Sequence, residues 1–195
     1  DLTLVGDLRQ SIVETNARDR NLTQYKGLDK VHWYREQEKA GLLEIVEMND
    51  TYRSTQVIAD LSDDVLPTAA GFPATVSQVT YDVKHQGVFL VREQDVSAYV
   101  QAFAPLCLRD RVSTFAHLDL PFSNFGQAKG VTADHVLIAP NGTIRERLAN
   151  GTALANRTAC GLYVGITRAK YSVAFVLDED DVDVVASRWT RAATK

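Results

Sequence analysis

Residues 161–176 read GLYVGITRAKYSVAFV, and their pattern changes halfway. Up to Ile166 the spacing predicts a helix, running from about residue 154. From Tyr171 to Leu177 the residues are apolar and β-prone, which predicts a buried strand. Between the two lie Thr167, Arg168, Ala169 and Lys170. A positive side chain is thus held between two rigid elements at the mouth of a sheet. A machine driven by nucleotide hydrolysis needs a cation in such a place, to neutralise the charge that develops on the transferred phosphoryl group.

Working outward, strands and helices alternate. Leu2 to Val5 reads as a strand ending at Gly6-Asp7, and residues 13–28 are polar and irregular. Asp29 is placed to cap a helix carrying Trp33, Tyr34 and Lys39, closed by Gly41. A strand is expected at Leu42 to Met48. A helix capped by Ser54 or Thr55 would then bury Val57, Ile58, Leu61 and Val65 and stop before Pro67. Further strands are expected at 76–81, 87–91, 112–115 and 135–139. Between them a helix from Asp95 would bury Val96, Tyr99, Val100 and Phe103. Thr143 and Glu146 have the spacing of a capping box for a helix to about Leu148. A last helix is expected from Asp180 or Asp181, with Val182, Val185 and Trp189 inward; the acidic run 178–183 suits its N-terminus better than a metal. Trp33 and Trp189 are both expected in or against the core. The alternation predicts an α/β fold with a largely parallel sheet.

Composition narrows the function. The chain has 195 residues, 45% apolar and 24% charged, which suits one ordinary domain with a full core. The net charge of −4 offers nucleic acid no global attraction, so any contact with it must be local. Two cysteines, Cys107 and Cys160, make no disulfide framework, and a reduced cytoplasmic setting is expected. His32, His85, His117 and His135 lack metal-ligand spacing. No apolar run is long enough to span a membrane, and no signal peptide is visible. A chain that begins directly with strand-like residues reads as a piece of a longer protein.

Three other segments carry chemistry. In LVGDLRQSI, residues 4–12, Gln10 follows a strand by a short loop; an amide there can touch a terminal phosphate or orient attacking water. Alone, it reads more readily as a loop glutamine facing solvent. In NDTYRST, residues 49–55, Tyr52 can stack on a base and Arg53 can grip phosphate at a strand end. Packing and a surface salt bridge are the bland alternatives. In GQAKGVTADHVLI, residues 126–138, Lys129 and Gly130 offer a cation and free backbone to a phosphate or a nucleic-acid strand, or form an ordinary loop. No Gly-Lys-Ser or Gly-Lys-Thr phosphate loop occurs.

Taken together, the four segments resemble UvrD/Rep-like superfamily 1 DNA helicases. LVGDLRQSI resembles the GDxxQSI motif, NDTYRST the NYRST motif, GQAKGVTADHVLI the KGLEFxxVxI segment and LYVGITRAK the YVAxTRA motif, all in the family's order. The resemblance covers the back part of such a helicase. It implies a RecA-like three-layer sandwich of the P-loop NTPase type without its own phosphate loop. Residues 1–25 would end the first motor domain and connect it to the second, at 26–195. The short stretch 66–126 would leave the family's large helical insertion absent or reduced. Gln10 would sense the phosphate, Tyr52 pack on adenine, Arg53 reach the γ-phosphate and Arg168 act as the arginine finger. Lys129, Gly130 and Thr132 would contact nucleotide and single-stranded DNA, and Thr167 would position the loop. ATP is the implied substrate, with Mg²⁺ held by residues upstream; RNA is not excluded as the track. This chain departs from the family at Val13-Glu14-Thr15-Asn16, where a base-stacking tryptophan is usual. It departs again at Thr132, where a glutamate is usual, and at Asn124-Phe125-Gly126, where Thr-x-His is usual. Two rivals remain: a helicase-like module of a nuclease or defence system, and a binding module with degenerate motifs.

Overall fold

The computed structural model describes residues 2–12, 27–180 and 182–191. Six strands form one sheet, parallel throughout. In chain order the elements are α1 (Lys30–Lys39), β1 (Asp50–Thr51), α2 (Gln56–Asp64), β2 (Val76–Ser77), β3 (Gly87–Val91) and α3 (Val96–Phe103). They continue with β4 (Leu106–Arg109), β5 (Ser123–Asn124), β6 (Ala133–Ala139), α4 (Gly142–Asn150), α5 (Asn156–Ile166), β7 (Ala169–Val176) and β8 (Ser187–Arg188). The sheet order is β5-β4-β6-β7-β3-β8, while β1 and β2 make a separate parallel pair. The fold is therefore α/β, as the alternation of elements requires.

Helices cover both faces because the central strands are apolar on both. Along β6, Val136 and Ile138 face one core and Leu137 the other; along β7, Val173 and Phe175 oppose Ala174 and Val176. The first core takes in Ile58 and Leu61 of α2, Ile144 and Leu148 of α4, and Leu162 and Ile166 of α5. The second is built on Val96 and Tyr99 of α3, with Phe115, Phe122 and Trp189 packed against it. At the crossover helix, Phe125 lies against Gly161 and Gly165, where any side chain would meet its ring.

Several expected elements differ. Residues 2–5 join no sheet: Leu2, Leu4 and Val5 are exposed, with no strand alongside among the described residues. Residues 42–48 likewise form no ladder, with Leu42, Val46 and Met48 exposed, and the strand shrinks to Asp50–Thr51. Apolar, β-prone sequence needs a neighbour to become a strand, and neither segment has one among the described residues. Residues 112–115 are turns; the strand is Leu106–Arg109 instead, because Leu108 and Cys107 bury on opposite faces while Val112 stays out. Val57 points to solvent on α2. Helix α4 is capped by Asn141, whose Oδ1 accepts from the Ile144 amide at 2.9 Å, not by a Thr143–Glu146 box. Among the described residues no helix follows Asp180: Asp178 accepts from the Glu93 amide, Asp180 pairs with Arg92 and Arg188, and β8 takes the helix's place. Asp181 and the Val13–Asn16 stretch lie outside the described residues. Trp33 is exposed, whereas Trp189 packs edge-on to Tyr99.

Candidate functional site

A cavity of about 160 Å³ brings three of the four motifs to one opening. Its lining includes Asp7, Arg9 and Gln10 from the first, Asp50, Arg53 and Ser54 from the second, and Tyr163, Thr167 and Arg168 from the fourth. Arg168 immediately precedes β7, so the cavity lies at the amino end of the sheet. The sequence argument placed Arg53 at the carboxyl end of a strand, where parallel sheets usually bind ligands. Arg53 does follow the carboxyl end of β1, but β1 lies outside the main sheet and Arg53 meets the start of β7.

The NDTYRST turn is stitched onto the TRA loop. Arg53 Nη1 donates to the Thr167 carbonyl at 2.8 Å, and Ser54 Oγ donates to the Ala169 carbonyl at 2.6 Å, so the two bonds bracket Arg168. The Thr167 hydroxyl donates to the Tyr163 carbonyl at 2.8 Å, closing the C-terminus of α5.

Arg168 is 2% exposed. Nε donates to the Val164 carbonyl at 2.9 Å, Nη1 to the Val131 carbonyl at 3.2 Å and Nη2 to Thr167 Oγ1 at 3.1 Å. A guanidinium has five N–H groups, so one remains on each terminal nitrogen. Burial, and then the neighbouring charge of Arg53, lower its pKa. Among the described residues neither Arg53 nor Arg168 has a carboxylate within ion-pair distance. Three cations, Arg9, Arg53 and Arg168, line the cavity against two carboxylates, Asp7 and Asp50, and Arg168 is desolvated, so the site favours an anion.

Sequence reasoning passed over Asp7 and Arg9. Asp7 Oδ1 accepts from the Arg9 amide at 3.0 Å and Arg9 Nε at 2.9 Å; Oδ2 accepts from Gln10 Nε2 at 3.0 Å and the Tyr163 hydroxyl at 3.4 Å. Arg9 also lies 3.7 Å from Asp63, donates to Thr75 Oγ1 at 3.0 Å and stacks over the Tyr163 ring. Burial acts to lower its pKa, but Tyr163 beside it and Asp7, through charge and hydrogen bond, outweigh burial and leave it raised. The signal was available: an Asp-x-Arg-Gln run in a short loop places acid, base and amide on one turn.

Other expected site residues stand apart. Tyr52 is exposed and does not line the cavity. Lys129, Gly130 and Thr132 are exposed and outside the lining; their loop reaches the site only through the Val131 carbonyl and the Ala133 amide, which donates to the Arg168 carbonyl at 2.9 Å. Lys170 pairs with Asp134 at the surface. Among the described residues no three His, Cys, Asp or Glu side chains are grouped so as to hold a metal ion. Nor is any helix among them long and apolar enough to cross a membrane.

No family model matches the chain, and no curated protein matches it. A solved structure of the PRRSV helicase is similar to it at 13% identity, with a TM-score of 0.42 over 75% of this chain. The chain spans 27% of that structure's length.

Proposed function

We propose that the cavity receives the terminal phosphate of a nucleoside triphosphate, and that the chain is the C-terminal motor portion of an ATP-dependent, UvrD/Rep-like DNA helicase or translocase. The observation that carries this reading is the convergence of Gln10, Arg53 and Arg168 on one cavity, where among the described residues neither arginine has a carboxylate within ion-pair distance. In this reading residues 1–25 lead from the first motor domain and 26–195 form the second. The first domain presents ATP with its Mg²⁺ across a cleft. Closure lets the free N–H groups of Arg53 and Arg168 meet the phosphate whose charge rises in the transition state. Arg53 acts as the γ-phosphate clamp and Arg168 as the finger. Tyr52, exposed beside the mouth, is the candidate for packing on adenine. Lys129, Gly130 and Thr132 supply the exposed loop for single-stranded DNA, or RNA, in a cytoplasmic protein.

The test is hydrolysis by the full-length protein. Arg53→Ala and Arg168→Ala are expected to abolish nucleic-acid-stimulated ATP turnover while the circular dichroism spectrum is retained. Turnover unchanged in both variants would leave the cavity without a phosphate role and favour a binding module.

A further inference from the structure

Gln10 has two conceivable duties at a phosphate: its nitrogen can donate to a phosphate oxygen, or its oxygen can accept from the attacking water. The hydrogen bonds around it select between them. An ionised carboxylate only accepts, so the amide edge facing Asp7 Oδ2 at 3.0 Å must be Nε2. Asp7 is itself held in place. Its other oxygen takes two donors from Arg9, and the Tyr163 hydroxyl completes Oδ2. Burial, foremost, raises the Tyr163 pKa, so this phenol stays neutral and remains a donor. Among the described residues no group donates to Gln10 Oε1, and Gln10 lines the cavity.

We propose that Asp7 is a positioning residue that fixes the Gln10 amide with its nitrogen turned inward, so that Oε1 accepts an O–H of the water attacking the γ-phosphate. The assignment rests on the phosphate reading of the cavity. In the step it serves, the water oxygen forms a bond to the γ-phosphorus as the bond to the bridging oxygen breaks, the electron pair leaving on the diphosphate. The proton released from the water passes to the phosphate set free. Gln10 gains and loses no proton; it restricts where the water sits, and orientation alone is worth orders of magnitude in rate.

The experiment uses the full-length protein, ATP and single-stranded nucleic acid, measuring kcat and KM for Asp7→Asn, Gln10→Ala, the Asp7→Asn/Gln10→Ala double variant, and Arg168→Ala. Asp7→Asn is expected to lower kcat about ten- to hundredfold with KM within about twofold, since the amide loses its orientation and not its reach. The double variant is expected to fall no further than Gln10→Ala alone, because both changes remove one device. A rescue variant guards against a merely structural effect. In Asp7→Asn/Gln10→Glu, the new Asn keeps an oxygen for Arg9 and offers a nitrogen to the new carboxylate, whose second oxygen faces the cavity. That pair is expected to recover kcat above either single change. Full kcat in Asp7→Asn, a raised KM in place of a lowered kcat, multiplicative losses in the double variant, or no rescue would each overturn the positioning role. Turnover intact in Arg168→Ala would instead sink the phosphate reading beneath it.

Discussion

Replacing Arg168 with methionine separates what its guanidinium does for the fold from what it does for the site. Three acceptors lose a donor: the Val164 and Val131 carbonyls and Thr167 Oγ1. Val131 is 40% exposed, so water takes over there. The Val164 carbonyl keeps a contact from Thr167 Oγ1 at 3.3 Å, which puts its loss near the low end of the range for a buried acceptor, about 1 kcal/mol. Against this, a desolvated cation is removed from beside Arg53, which offsets part of that loss. Methionine, unbranched and adaptable, fills much of the space left. The net change in stability is therefore within about 2 kcal/mol, or at most about 8 °C in Tm for a chain of this length. Catalysis should respond on another scale: an arginine finger contributes roughly 10³–10⁵ in kcat, about 4–7 kcal/mol. Thermal unfolding and nucleic-acid-stimulated ATPase of the full-length variant give the two numbers. A Tm lowered by more than about 10 °C would mean that Arg168 is chiefly a structural strut. Turnover within about tenfold of the parent would mean that it is no finger.

Two further perturbations probe the scaffold. In Gly165→Ala the new Cβ would come within 2.8 Å of Phe125 Cε1, inside the core that seats the TRA loop. A loss of about 1–3 kcal/mol is expected by chemical denaturation, and unchanged stability would show that Phe125 yields freely. His85 is stacked between Phe89 and Phe103, and burial, with the neighbouring His135, pushes its pKa down to about 4. The unfolded ring titrates near its ordinary 6.5, so between these values the unfolded state binds more protons. Stability is thus full above pH 6.5 and declines as the pH falls toward 4, with His135, also lowered, acting in the same direction. His85→Phe keeps the stack and is expected to flatten the fall of Tm across that window; an unaltered slope would place the titration elsewhere.

The core strands were legible because burial on both faces leaves its mark in composition. Leu137 and Ala174 sit on one face, Val136 and Val173 on the other, and no polar residue interrupts them. Segments 2–5 and 42–48 carry the same composition without a partner strand, and composition alone does not reveal the neighbour. The helix after Asp180 failed for a different reason. Its carboxylates are engaged by Arg92, Arg188 and the Glu93 amide, contacts from distant sequence that outweigh a local preference for a helix start. At the site, Gln10, Arg53 and Arg168 were readable from residue type and order. That the cavity opens at the amino end of β7 was not, since it depends on Arg53 and Ser54 reaching across the chain to Thr167 and Ala169. Asp7 carried its signal in the Asp-x-Arg-Gln run, but its contact with Tyr163 forms only once the loop has folded against α5.

The central claim is that Gln10, Arg53 and Arg168 share one triphosphate, and a structure of the full-length protein with ADP and aluminium fluoride tests it most directly. Guanidinium nitrogens of Arg53 and Arg168 are expected about 3 Å from the fluoride mimic of the γ-phosphate, with Gln10 Oε1 on the water in line with it. A nucleotide bound elsewhere, with the free N–H groups of Arg53 and Arg168 touching none of its phosphates, would contradict the account.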